Sequence, residues 1–161
     1  MRHIYIDSNN LHKAAQQIGW KIDYSRLYIW LSSKFSTHKI YIFIGYIHQH
    51  KDTYEKLKQF GFILIFKETY EIQGVIKGNC DIDMTMQIMI DHYTIKPQTI
   101  IVSGDGDFAS VIDFLIKNSA FDCVIAPRKI KCSYLIRKRN VRLIFLDDHY
   151  QKFSKKQKPP I

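Results

Sequence analysis

Apolar residues fall into short, nearly continuous runs at positions 3–7, 39–45, 62–66, 99–103, 121–126 and 141–146. These runs are rich in Ile, Val, Phe and Tyr, the content of strands buried on both faces, as in a parallel sheet covered by helices on either side. The stretches between them, at 9–19, 24–35, 51–61, 81–93, 107–118 and 131–139, carry apolar residues at helical spacing and predict the helices. Gly19 and Gly61 follow predicted helices, and Ser8, Asn79 and Asp105 or Gly106 stand near helix starts, where such residues end or cap a helix. Strands and helices alternating at this spacing predict a doubly wound α/β fold with right-handed crossovers. Residues 70–78 read as a loop or hairpin leading into the helix that Asp81 opens.

The length of 161 residues suits one domain, expected over residues 1–150. Residues 151–161, QKFSKKQKPPI, have the Lys and Pro content of a basic, disordered tail. No apolar run approaches the roughly 18 residues of a membrane span. The first strand begins at His3, which leaves no room for a signal peptide, so the expected location is cytoplasmic. Cys80, Cys123 and Cys132 lack the spacing of a zinc site or a disulfide pair, and reduced thiols are expected. A net charge of +9 predicts a surface that attracts polyanions, nucleic acid first among them.

The acids of this basic chain are placed unevenly. Asp7 ends the first strand, Asp105 and Asp107 follow the 99–103 strand, and Asp81 with Asp83 opens a helix. In a doubly wound sheet all of these positions lie at the carboxyl edge, where ligands bind at the reversal of strand order. Each acid alone has a structural use as a turn, a cap or a helix-dipole partner. Together they would repel by roughly 4 kcal/mol per pair at 4 Å, which a hard divalent ion such as Mg²⁺ or Mn²⁺ relieves. Such an ion can hold a phosphate oxygen and activate water for phosphodiester hydrolysis. Two other motif matches are weak. Residues 104–109, GDGDFA, match a dinucleotide-binding pattern but put carboxylates where a pyrophosphate would lie. Residues 81–85, DIDMT, match an aspartyl phosphotransferase motif but follow no strand.

Three blocks, IYIDSNNL at 4–11, KGNCDIDM at 77–84 and VSGDGDF at 102–108, resemble those of the NYN domain, a branch of the PIN-like nuclease superfamily that includes LabA-like bacterial proteins. The likeness spans residues 3–146. It implies a three-layer α/β/α fold with a mainly parallel sheet of strand order about 3-2-1-4-5, a Mg²⁺ or Mn²⁺ site and RNA as substrate. Carried over residue by residue, it implies Asp7, Asp81, Asp105 and Asp107 as metal ligands and catalytic groups, with Asp83 a further candidate. Asn10 joins the catalytic set, and Ser103 is expected to orient ligands or phosphate. Where relatives often carry one more Asp, this chain has Gln87.

The basic run after the fifth strand, with Arg128, Lys129, Lys131, Arg137 and Lys138 around Tyr134, is expected to hold RNA by its backbone and one stacked base. Tyr46 and Tyr70 are lesser stacking candidates. The resulting reading is an endoribonuclease, with a non-catalytic RNA-binding module as the alternative that Gln87 favours, and a phosphatase-type protein third. The expected partners are RNA and no membrane. A homodimer is left open by the sequence.

Overall fold

The computed structural model describes residues 1–37 and 39–154. Strand β1 (Arg2–Asp7) runs directly into α1 (Ser8–Gln17), and α2 (Tyr24–Phe35) leads to β2 (Lys39–Gly45). Next come α3 (Lys51–Gln59), β3 (Ile63–Lys67), β4 (Tyr70–Ile72), β5 (Val75–Lys77) and α4 (Asp81–Thr94). The second half adds β6 (Gln98–Val102), α5 (Ala109–Lys117), β7 (Phe121–Ala126), α6 (Tyr134–Arg137), β8 (Leu143–Phe145) and α7 (Tyr150–Phe153).

Six strands form one sheet in the order β3-β2-β1-β6-β7-β8, and each adjacent pair is parallel. Counted along the main sheet this is the expected order, extended by one strand beyond β7. The chain winds outward from β1 through β2 to β3, then crosses over to β6. The crevice at the carboxyl ends of β1 and β6 is therefore the switch point.

Alternation along the strands divides the core into two. Ile4 and Ile6 of β1 pack with Leu11 of α1 and with Leu27 and Leu31 of α2. Tyr5 faces the other way, toward Met84 and Ile88 of α4 and Ile112 of α5. The three-layer α/β/α arrangement follows directly. On α4 the side turned away from Met84 and Ile88 is apolar as well, with Ile82, Met86, Ile90 and Tyr93 all more than half exposed. That second stripe blurs the periodicity by which a helix sequence shows its buried face.

Residues 70–78 form an antiparallel hairpin, β4 against β5. Gln73 and Gly74, at the turn, both have positive φ, 51° and 75°, the conformation of the two-residue turns whose twist matches the strands they join.

Two expectations are corrected. The helix predicted over 131–139 is broken into a 3₁₀ turn, Lys129–Lys131, and the short α6. Cys132 between them is extended, and Ser133 caps α6 by accepting from the Leu135 N–H. The Ser133 N–H donates to the Gly104 carbonyl at 3.0 Å, so a tertiary contact fixes the break. The tail boundary at residue 150 also moves. Residues 150–153 form α7, and Phe153 is fully buried against Trp20 and Trp30. The rest of the expected tail, 155–161, lies outside the described residues. Among the described residues no helix is long and apolar enough to cross a membrane.

Candidate metal centre and nucleic-acid interface

Asp7 is the last residue of β1 and the N-cap of α1. One carboxylate oxygen accepts from the Asn10 N–H at 3.0 Å, and the other accepts from Ser103 Oγ at 2.9 Å. Its exposure is only 5%. Burial pushes its pKa above the ordinary carboxylate value, and the nearby charges of Asp81 and Asp105 push the same way, against the two hydrogen bonds. Ser103 is fully buried and works in both directions, donating to Asp7 and accepting from the Asp105 N–H at 3.2 Å. Asn10 closes the same crevice from α1, its side-chain oxygen accepting from the Gly104 N–H at 2.9 Å. The ends of β1 and β6 are thus bolted together by Asp7, Asn10 and Ser103.

In front of this frame stand three further carboxylates. Asp81, Asp105 and Asp107 each present an oxygen, and these oxygens all lie within 4.8 Å of one another. Asp105 is fixed by accepting from the Asp107 N–H at 3.0 Å, an Asx-type turn that a Gly-rich loop permits. Asp81 begins α4 and is held by Asn79, whose amide donates to its carboxylate at 2.9 Å and whose oxygen accepts its N–H at 3.0 Å. Partial burial raises the Asp81 pKa, with further upward pressure from Asp105 and Asp107, while Asn79 and Lys13 lower it.

Among the described residues none of these three acids is in an ion pair, whereas Asp83 is, with Lys67 at 3.1 Å. Mutual repulsion of roughly 3 to 4 kcal/mol per pair at such separations, left uncompensated by Lys or Arg salt bridges, fits a divalent cation. An all-oxygen donor set suits Mg²⁺ or Mn²⁺ chemistry.

The structure therefore distributes the expected site residues unequally. Asp81, Asp105 and Asp107 form the group, Asp7 stands behind it, and Asp83 is committed to Lys67. Gln87 lies outside the group, donating to Asp91 at 2.8 Å.

Asp7, Asp81 and Asp105 open onto a cleft of about 430 Å³, bordered by Asn10, Lys13, Tyr70, Lys77 and Asn79. Asn10 and Lys13 also line a second cleft of about 220 Å³, together with Arg128 and Lys131. Of the basic run, then, Arg128, which also donates to Gln17 at 3.1 Å, and Lys131 line the cleft that adjoins the acidic one. Arg137 does not, because its guanidinium is spent on the carbonyls of Cys132 and Lys129. The Lys129 ammonium lies over the Phe145 ring. Tyr134 is 74% exposed, with the Lys138 ammonium over one face of its ring. Tyr70 borders the acidic cleft, while Tyr46 packs on Tyr54 and Phe66.

The sequence marked Asn79 only as a helix-start residue, not as a partner of Asp81, and gave no role to Lys13. Lys13 was legible in principle, since Asn10, Lys13 and Gln17 share one face of α1 at helical spacing.

The family model of the NYN domain matches residues 3–147. The chain belongs to the NYN domain family. NYN domains fall within the PIN-like nuclease superfamily, whose nucleases generally use a divalent metal, and NYN nucleases act on RNA. A similar solved structure is that of a protein of unknown function, VPA0982 of Vibrio parahaemolyticus, with a TM-score of 0.76 at 16% identity over 96% of each chain. At that identity the likeness concerns the fold of this NYN domain alone. No curated protein matches the chain.

Proposed function

We propose that this NYN domain is a metal-dependent endoribonuclease, and the observation that carries the reading is the group formed by Asp81, Asp105 and Asp107 at the switch point of the sheet. In this reading these three carboxylates hold Mg²⁺ or Mn²⁺. Each Asp7 oxygen has one lone pair beyond its hydrogen bond, so Asp7 contributes from behind as a further ligand or as fixed negative charge. When bound, the ion supplies Lewis acidity toward a phosphate oxygen and a lowered pKa for water.

The remaining work falls to the chain. Lys13, Arg128 and Lys131 attract the RNA backbone and set a phosphate beside the acids. Asn10 and Ser103 keep the β6 loop in register with Asp7, so that Asp105 and Asp107 stay aligned with Asp81. Tyr70 at the acidic cleft and Tyr134 on α6, exposed by 59% and 74%, offer ring faces for bases.

The alternative of a non-catalytic RNA-binding module drew its support from Gln87. With that amide bound to Asp91 and three acids grouped without it, the catalytic reading is the better supported.

Asp7→Asn is the sharpest test. The amide oxygen can still accept from the Asn10 N–H, and the amide nitrogen can donate to Ser103 Oγ, so the fold is expected to survive. Cleavage of single-stranded RNA in Mn²⁺ should fall by about a hundredfold or more, the scale of losing a principal charge from a catalytic site. Unchanged cleavage by a folded Asp7→Asn protein would remove the proposal.

A further inference from the structure

A third cavity, of about 420 Å³, lies between the start of α1, the end of β2 and α3. It adjoins the acidic cleft and shares Asn9 and Gly78 with it. Its chemistry is unlike that of the other two. None of the described residues lining it is Asp, Glu, Lys or Arg, although the chain carries 24 basic and 15 acidic residues. A phosphate would find no fixed cation there, and a metal ion no carboxylate.

The walls are Ile42, Ile44, Leu57 and the ring of Tyr54. That ring is held rigidly, because the Tyr54 hydroxyl accepts from the Ile47 N–H at 2.9 Å and donates to the Gly45 carbonyl at 3.2 Å. At the mouth stand Asn9, His12, His50 and Thr53, all exposed. Among the described residues their side chains make no hydrogen bond within the chain, which leaves amide, imidazole and hydroxyl groups to meet a polar edge.

An apolar slot of this size, with a few convergent neutral donors and acceptors, is the usual form of a small-molecule site. A flat, uncharged, heteroatom-edged ring matches both parts. The order of the three cavities adds a constraint. The acidic one adjoins both others, sharing Asn9 and Gly78 with the neutral one and Asn10 and Lys13 with the basic one. A nucleic-acid strand presents the same order as base, scissile phosphate and neighbouring phosphate.

We propose that the cavity between α1, β2 and α3 is a nucleobase pocket, taking the base of the nucleotide beside the scissile phosphate and giving cleavage a base preference. Its placement next to a scissile phosphate rests on the ribonuclease reading. Its capacity to hold a base does not.

The test uses the whole protein without added metal, titrated with adenosine, guanosine, cytidine and uridine while backbone amide resonances are followed by NMR. These probes are uncharged, so the basic cleft contributes nothing to their binding. Saturable shifts at Gly45, Thr53 and Gly78 with at least one nucleoside are expected. Thr53→Trp, which places an indole at the mouth from an exposed position on α3, should abolish them while circular dichroism stays unchanged. Absence of saturable shifts with all four nucleosides would overturn the proposal, as would shifts that persist in Thr53→Trp.

A second arm compares cleavage of RNAs that differ at one nucleotide. A preference of about tenfold is expected, the scale of one neutral hydrogen bond to the base edge made or lost, and Thr53→Trp should level it and raise KM. If no RNA is cleaved but nucleosides bind, the ribonuclease reading fails and the pocket stands. Cleavage without base preference, together with no nucleoside binding, would leave the ribonuclease and remove the pocket.

Discussion

Gln87, which stands where relatives often carry an acid, has a structural partner of its own. Its amide donates to Asp91, whose other oxygen accepts from the Tyr5 hydroxyl at 2.7 Å and lies 3.0 Å from His3 Nδ1. Burial pushes the Asp91 pKa up, but the bonds from Tyr5, His3 and Gln87 outweigh it and leave the carboxyl below its ordinary value. An acid whose folded pKa is depressed stabilises the fold at pH above its unfolded value of 3.8, and that stability is lost as pH falls through the folded pKa. Gln87→Leu should therefore cost about 1–3 kcal/mol near neutrality, with the deficit shrinking below that value. Urea denaturation at neutral and acidic pH measures it. Cleavage by the variant should match the parent, since Gln87 lies outside the acidic group. A loss of cleavage without a loss of stability would return Gln87 to the site.

Asp7 and Asp81 have the opposite sign. Both carboxyls are held above 3.8, chiefly by burial, so in the metal-free protein their ionisation costs stability as pH rises past the unfolded value. A bound cation favours the ionised forms. Mn²⁺ binding should accordingly release protons and weaken as pH is lowered toward the raised pKa values of these carboxyls, which calorimetry in two buffers of different ionisation enthalpy would report. Binding that neither releases protons nor weakens with acid would contradict this.

At the scale of elements, the loop after β6 carries the site because it is clamped from several directions. Gly106 meets the segment before α6 so closely that an added Cβ would lie 2.5 Å from Ser133 Oγ. Gly106→Ala should push these two loops apart, misaligning Asp105 and Asp107 with Asp81. A drop of about tenfold or more in kcat is expected, in keeping with the cost of small displacements in a catalytic array, with the fold retained. Full activity would mean that the two loops are not coupled.

The break before α6 also marks where sequence reading stopped. Residues 131–139 have helical composition, and nothing local reveals that the Ser133 N–H is needed by the Gly104 carbonyl. Strands were legible because burial on both faces leaves continuous apolar runs, while their order was legible only through the resemblance to the NYN domain. The hairpin was half legible, its Gln73-Gly74 turn being less distinctive than Asn-Gly. The acids were legible as strand-end and helix-start residues. Their division into a front group and a buried Asp7 was not, because it depends on Ser103 and Asn10 claiming the Asp7 oxygens.

For the whole molecule, a charge of +9 is put to use through its placement. Lys13, Arg128 and Lys131 border the cleft that continues the acidic site, whereas Arg137 and Arg139 are engaged with backbone carbonyls and, for Arg139, with Asp113. Replacing both Arg128 and Lys131 by Ala should weaken single-stranded RNA binding and reduce the slope of log affinity against log salt by roughly 1 to 1.5, at about 0.7 per phosphate contact. Removing exposed Lys152, away from the cleft, should leave the slope unchanged. Equal effects from the two sets would mean that the charge acts only as a diffuse field.

The account stands or falls on the link between the grouped carboxylates and RNA cleavage. The most direct measurement is the rate of internal cleavage of an end-labelled single-stranded RNA as Mn²⁺ is titrated into metal-free protein, for the parent and for Asp107→Asn. The predicted result is a saturable rise in the parent, abolished by EDTA, and a curve for Asp107→Asn displaced to higher Mn²⁺. Cleavage that survives EDTA, or none at any Mn²⁺ concentration, would contradict it.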